Sequence, residues 1–283
     1  MITGHTRVFG LVGHPVRHSL SPAMHNELFR RAGIDAIYVA FDVPPDRAGS
    51  VASAVRTLHL GGVNLTVPFK ERVLPDLDRL SPSARLAGAV NVVLRDGDDL
   101  VGHNTDGEGY VRALADEMGV APKGARALVL GAGGTGRAVA AALAENGAVE
   151  VTLLNRTPSR AEAACRSLAE TFPDTRFSAG ALLPDAFAAR APDLDLVVNC
   201  TSGEAVPAVS ALDVRGLRRG AVWTDANYWM ADPPQLTACV ASGVRIQRGI
   251  GMLMHQGALS FALFTGVSVD TDTIRGVLDI GGW

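Results

Sequence analysis

The sequence predicts an α/β fold in two domains, on three observations. The chain has 283 residues, 47% of them apolar, which is enough for about two cores of ordinary size and unusually large for one. Over the first hundred residues short β-branched or apolar runs alternate with helix-like stretches, the rhythm of an open, mainly parallel sheet. A second rhythm opens near residue 125 with an apolar run, a glycine turn and an Ala-rich helix.

In chain order, strands are predicted at RVFGLVG, AIYVAFDV, GGVNLTV and NVVLRD. Between the first two, HSLSP reads as a loop feeding a helix. Ser21 is a natural N-cap, Pro22 suits the first helical position, and Gly33 suits the position just past the last turn. After GHNTDGEGY a helix is predicted over 107–119. ARALVLGAGGTGRAVAAALAENGA then reads strand, glycine turn, helix, with Gly147 closing it. Strands follow at EVTLLNR, LDLVVNC, GAVWTDA and VRIQRG, and a final helix is predicted at about 252–265 with a broad apolar face.

Charge and composition narrow the function classes. The 26 Lys plus Arg nearly balance the 29 Asp plus Glu, with no long run of one sign, so polyanion binding is not favoured. Cys165, Cys200 and Cys239 lie far apart without CxxC or Cys/His spacing, which suggests neither a disulfide framework nor structural zinc. His14, His18, His25, His103 and His255 are scattered without metal spacing or a Ser/Asp partner pattern, so no metal is expected. The start lacks the features of a signal peptide, and no apolar run approaches the roughly 18 residues of a membrane span. A soluble, cytoplasmic protein without nucleic-acid or membrane partners is expected.

Gly131, Gly133 and Gly136 form GxGxxG directly after the strand ALVL and before a helix, with Ala132, Gly134 and Thr135 completing the turn. The first glycine permits the tight turn, the second lets backbone approach a pyrophosphate, and the third lets the helix pack close to its strand. This is the fingerprint of a Rossmann-like dinucleotide site. At the tip of the next strand, NAD binders place an acid to hold the ribose 2′-hydroxyl, whereas a 2′-phosphate calls for cations. Here stand Asn155, Arg156, Thr157 and Arg160. The two planar guanidinium heads suit a phosphate and the neutral pair adds hydrogen bonds, so NADP is preferred over NAD. Arginines at a helix start are otherwise ordinary surface charge.

HSLSPAMHN, NLTVPFK, GAVNVV, GHNTDG, GAGGTGRA, NRTPSRA and GIGMLMHQGA, in that order and over nearly the whole chain, resemble the shikimate dehydrogenase family. The resemblance implies a substrate-binding and catalytic α/β domain over 1–106 plus 250–283, a Rossmann-like NADP-binding domain over 107–249, and an active site in the cleft between them. It implies an oxidoreductase that reversibly reduces 3-dehydroshikimate to shikimate with NADPH, in the synthesis of aromatic amino acid precursors, as a monomer or homodimer. Carried over position by position, Lys70 and Asp106 become the catalytic pair. Oxidising a secondary alcohol moves a hydride to nicotinamide and a proton elsewhere, and a lysine beside a carboxylate can exchange that proton. Taken alone, Lys70 reads as a solvated lysine opening a helix after Pro68.

The same matching implies Ser19 and Ser21 at the substrate carboxylate, and Asn64, Thr66, Asn91 and Gln256 at ring hydroxyls or the carboxylate. Tyr228 and Met252 fall beside substrate and nicotinamide, and Asn199, Thr201 and Ser202 near the nicotinamide. Many short neutral donors suit a polyhydroxylated acid, since each unmatched hydroxyl costs about 1–3 kcal/mol. Val92 and His103 stand where the family usually has Thr and Asp, NCTSGEAVP is a shortened stretch, and DANYWMADPPQLT lacks the usual Thr-Pro. Relatives that accept quinate or aminoshikimate share this scaffold, as would a non-catalytic nucleotide sensor. Serine at both 19 and 21 leans toward shikimate.

Overall fold

The computed structural model describes residues 1–230 and 233–280. Ala231 and Asp232 of DANYWMADPPQLT, and residues 281–283 of the expected first domain, lie outside the described residues. The chain forms two compact units, one of Met1–Gly109 with the segment from Met254 onward, the other of Tyr110–Leu253. Among the described residues each unit carries a six-stranded sheet.

In the first unit the strands are β1 (Arg7–Gly13), β2 (Ala36–Asp42), β3 (Gly62–Leu65), β4 (Arg79–Leu80), β5 (Val92–Asp96) and β6 (Asp99–His103), in the spatial order β2-β1-β3-β5-β6-β4. β1 runs parallel to β2 and β3, and β4 parallel to β6. β5 is the exception to a mainly parallel sheet, antiparallel to both β3 and β6. This reversal has a positional consequence. The ends of β1, β3 and β6 share one edge of the sheet with the start of β5, so residues just after three strands and just before a fourth converge there.

One face of this sheet packs Val63, Phe69, Val73, Val90 and Leu100 into a fully buried cluster. Elsewhere in the unit Phe9 meets Phe29 and Phe264 with ring centroids 5.4 and 5.0 Å apart, and Phe29 meets Phe261 at 5.3 Å. His25 is stacked on Tyr38 in the same cluster, centroids 4.4 Å apart.

The helix Ser21–Ala32 corrects one expectation. Ser21 is its first residue, not its cap: Leu20 already has helical dihedrals (φ −83, ψ −10) and the cap makes no side-chain hydrogen bond. The helix therefore starts a residue early, and the Ser19 hydroxyl instead accepts the Ser21 N–H at 3.2 Å. Gly33 closes the helix in the left-handed conformation, as expected. The helix predicted over 107–119 spans Asp106–Met118. The one predicted at 252–265 spans Ile250–Thr265, but it is not the last, for Thr271–Ile280 forms another. Ile274, Val277 and Leu278 are buried there, and Asp270 Oδ1 accepts the Thr273 N–H at 2.6 Å.

The second unit's strands are β7 (Arg126–Leu130), β8 (Glu150–Asn155), β9 (Arg176–Ala181), β10 (Leu196–Asn199), β11 (Val222–Asp225) and β12 (Arg245–Gln247). All pair in parallel in the order β12-β11-β10-β7-β8-β9. Read from β9 this is the doubly wound order, whose direction reverses between β7 and β10. Ligands of such sheets bind beyond the strand ends at that switch point. Leu128, Leu130, Leu154, Val197, Phe187 and Trp223 form its core. β4, β6 and β9 are strands that the sequence pattern did not predict.

Candidate active site and dinucleotide turn

The converging edge of the first sheet gathers the polar residues. Lys70 sits in the short helix Phe69–Arg72 just after β3, anchored by the fully buried Phe69 and by its carbonyl, which accepts the Val90 N–H at 2.7 Å. Asp106 opens the helix Asp106–Met118 just after β6. Asn104 fixes the approach to that helix, its Oδ1 accepting the Asp106 N–H at 3.0 Å and its Nδ2 donating to the Ala89 carbonyl at 2.9 Å. Lys70 Nζ and Asp106 Oδ2 meet at 2.5 Å, with side chains only 15% and 5% exposed. At this exposure water screens the contact little, so it is stronger than a surface ion pair of the same length.

Asn91, just before β5, faces the same carboxylate. Its Nδ2 donates to Asp106 Oδ1 and to Thr105 Oγ1, each at 2.8 Å, and its Oδ1 accepts the Thr105 N–H at 2.8 Å. Gln256 Oε1 lies 3.5 Å from the same nitrogen. Asn64, on β3, is buried and bonds to the Tyr38 hydroxyl, the Asn91 carbonyl and Ser260 Oγ at 2.8, 3.1 and 3.0 Å. Thr66 follows β3 and donates its N–H to the Val12 carbonyl on β1 at 2.9 Å. Ser19 and Ser21 follow β1, at the same edge. The structure thus brings Lys70, Asp106, Asn91, Asn64 and Gln256 into one hydrogen-bonded group, with Thr66 and Ser19 on loops after adjoining strands and Ser21 opening the helix that follows.

Four further residues, Tyr38, Asn104, Thr105 and Ser260, bond to this group without standing out in the sequence. Asn104 has a signal, an Asn just ahead of a helix within GHNTDG, where it can accept a backbone N–H. Tyr38 and Ser260 have none, because each is one polar atom inside a run that reads as core.

In the second unit Gly131 has φ +99, and a side chain there would begin 3.0 Å from the Cys200 carbonyl. A Cβ on Gly136 would lie 2.0 Å from the Gly131 carbonyl. Only glycine allows the helix Gly134–Glu145 to start this close to β7. Gly133 stands at the cap with no side chain to satisfy the helix N–H groups, so backbone donors face the turn. Asn155 organises it: Oδ1 accepts the Ala132 N–H at 3.1 Å and Nδ2 donates to the Thr157 carbonyl at 2.9 Å. Arg156 and Arg160 are exposed at the start of the helix Pro158–Thr171, and Arg156 Nη1 pairs with Glu204 Oε2 at 3.3 Å. A glycine cradle, a helix N-terminus with no side-chain cap, a neutral strand end and two exposed guanidinium groups fit a dinucleotide with a 2′-phosphate.

Around the end of β10, Asn199 Oδ1 accepts from Thr201 N and Oγ1 at 3.1 and 2.7 Å, and its Nδ2 donates to Asp225 Oδ2 at 2.9 Å. Asn227 Nδ2 bridges Asp225 Oδ1 and the Thr201 carbonyl at 2.8 and 3.0 Å. Burial pushes the Asp225 carboxyl above its ordinary range. Ser202 is exposed, Tyr228 partly buried and Met252 buried. Among the described residues no helix is long and apolar enough to cross a membrane.

Comparison with known proteins identifies the family. Residues 11–93 match the model of the shikimate dehydrogenase substrate binding domain, 113–219 that of shikimate/quinate 5-dehydrogenase, and 249–278 that of the shikimate 5'-dehydrogenase C-terminal domain. An NADP(+) shikimate dehydrogenase of Geobacter metallireducens is 45% identical over 97% of this chain and 96% of its own. The solved shikimate 5-dehydrogenase of Listeria monocytogenes, in complex with shikimate and NAD, superposes with a TM-score of 0.86 at 33% identity, covering 98% of both chains. That of Thermus thermophilus, in complex with NADP(H) and shikimate, gives a TM-score of 0.79 at 36% identity over 97% of this chain and 99% of the other. The chain belongs to the shikimate dehydrogenase family.

Proposed function

We propose that this chain catalyses the reversible, NADP-dependent reduction of 3-dehydroshikimate to shikimate, with Lys70 and Asp106 exchanging the proton. The observation that carries the reading is the buried contact of Lys70 Nζ with Asp106 Oδ2 at 2.5 Å, within a unit whose sequence matches a substrate-binding domain. The first unit is then the substrate-binding and catalytic half, and the second the NADP-binding half. When bound, NADPH supplies a hydride to the carbonyl carbon. The residues do the rest. Lys70, held as an ammonium beside Asp106, polarises the carbonyl oxygen, and the pair delivers the proton that turns it into a hydroxyl. In the reverse direction the same pair takes that proton back. Asp106 balances the ammonium and orients it, and Asn91 fixes the carboxylate.

Ser19, Ser21, Asn64, Thr66, Asn91, Gln256 and Tyr228 are assigned to the substrate's carboxylate and hydroxyls, Asn64 and Asn91 through their side-chain oxygens. Gly131, Ala132, Gly133, Gly134, Thr135 and Gly136 are assigned to the pyrophosphate, Asn155, Arg156, Thr157 and Arg160 to the 2′-phosphate side, and Thr201 and Met252 to the nicotinamide side. We place its action in the cytoplasm, where three cysteines without disulfide spacing fit a reducing environment, and on small molecules without nucleic-acid or membrane partners, since the charge balance is nearly even. The test offers shikimate, quinate and aminoshikimate in turn, with NADP and then NAD, and follows the absorbance of reduced cofactor. Turnover of shikimate with NADP far above every other pairing is the expected result; preference for another acid, or for NAD, overturns the assignment.

A further inference from the structure

A buried polar chain runs from Tyr38 to the Lys70–Asp106 pair, and chemistry fixes the direction of its bonds. The Asn91 carbonyl can only accept, so the Asn64 atom facing it at 3.1 Å is the amide nitrogen. The second amide hydrogen goes to Ser260 Oγ at 3.0 Å. Asn64 Oδ1 then faces the Tyr38 hydroxyl at 2.8 Å, which must donate. With both hydrogens committed, Asn64 has none to offer a ligand. Ser260 sends its own hydrogen to the Gln256 carbonyl at 2.8 Å, leaving lone pairs for Asn64 and for Thr105 Oγ1, 3.3 Å away.

Beyond Asn64 the chain reaches the carboxylate. The Asn91 main-chain carbonyl accepts the Leu65 N–H at 2.8 Å as well as the Asn64 amide, its N–H donates to the His103 carbonyl at 3.0 Å, and its side-chain amide hydrogens go to Asp106 Oδ1 and Thr105 Oγ1. Asp106 is thereby gripped at Oδ1 by Asn91 and at Oδ2 by Lys70, so it cannot rotate without breaking a bond at each oxygen. Tyr38 and Ser260 are 1% and 0% exposed, and the Tyr38 ring is stacked on His25.

We propose that Tyr38 and Ser260 are positioning residues for the reaction: they lock the Asn64 amide, which holds Asn91, which sets the rotamer of Asp106 against Lys70. This inference rests on the reading of Lys70 and Asp106 as the proton-exchanging pair. Removing either hydroxyl leaves one atom of a buried amide unsatisfied, which weakens the hold of Asn64 on its remaining partners, the Asn91 carbonyl among them.

The test is steady-state kinetics with shikimate and NADP on the full chain, for Tyr38→Phe, Ser260→Ala, Asp106→Asn and Lys70→Ala, with thermal unfolding to show that each folds. Tyr38→Phe and Ser260→Ala are each expected to lower kcat by about threefold to tenfold with the KM for NADP unchanged, the size of one lost buried hydrogen bond. Placed on top of Asp106→Asn, Tyr38→Phe is expected to cost less than about twofold more, because the carboxylate it helps aim is gone. A purely structural role would not produce that loss of additivity. Wild-type kcat in both single variants, or a loss that multiplies in full on Asp106→Asn, overturns the inference alone. Undiminished rates in Asp106→Asn and Lys70→Ala overturn the reading of the pair, and the inference with it.

Discussion

Arg156 and Glu204 are about three-quarters exposed, 75% and 77%, where they pair at 3.3 Å. Such a contact contributes little to stability and leaves the guanidinium open to exchange partners. Replacing it by alanine is therefore expected to leave thermal stability unchanged while raising the KM for NADP about tenfold, the loss of one charge-assisted contact to phosphate. The KM for NAD should stay within about twofold, and equal effects on both cofactors would refute a 2′-phosphate role. At Ser21 the prediction runs the other way from the sequence reading. Because its hydroxyl caps nothing, Ser21→Ala should cost less than the ~1 kcal/mol of a lost N-cap, as chemical denaturation can measure. The candidate site was legible where a motif carried both the residue and its setting, as for Lys70 in NLTVPFK and Asp106 in HNTDG. It was illegible for Tyr38 and Ser260, whose single polar atoms acquire meaning only from partners far away in sequence, Asn64 in both cases.

Among the elements, the glycine turn after β7 was the most legible, because each glycine answers a separate steric demand. Gly136→Ala should drive a Cβ to 2.0 Å from the Gly131 carbonyl and lower stability by about 1–3 kcal/mol or more through overpacking, with weakened NADP binding. A wild-type melting temperature with normal NADP affinity would contradict this close approach. The missed strands failed for physical reasons. β9 is RFSAGA, built largely of small residues and half-buried at a sheet edge, so neither β-branching nor alternation marks it. β4 has two residues, below what a pattern can register, and β6 carries Gly102 within a short DLVGH. The helix Thr271–Ile280 did leave a signal, Asp270 as a cap and Ile274, Val277 and Leu278 at helical spacing. Its short apolar stripe went unread beside the stronger one before it.

For the whole molecule, each unit closes its own core over its own sheet, and each core sets a sensitivity. His25 is buried in the aromatic cluster with no hydrogen-bond partner for Nδ1, and burial lowers its pKa from 6.5 to about 3. The native state therefore binds no proton at His25 where the unfolded chain does. Stability from this group is fully present above the unfolded pKa and is lost as pH falls from about 6.5 toward 3, by about 1.4 kcal/mol per pH unit. Unfolding free energies measured across that range should fall more steeply for the wild type than for His25→Phe by about that slope; parallel curves would mean that the imidazole is not held neutral. The order of β7 to β12 and the edge created by antiparallel β5 together bring two kinds of site into one chain, a dinucleotide turn and a buried lysine–carboxylate pair. The most direct measurement of that pair's role is kcat for shikimate oxidation by Lys70→Ala, with shikimate binding followed separately by calorimetry. A loss of about a hundredfold or more with binding retained, the size of a lost proton-exchanging group, is the predicted result, and an undiminished rate would contradict it.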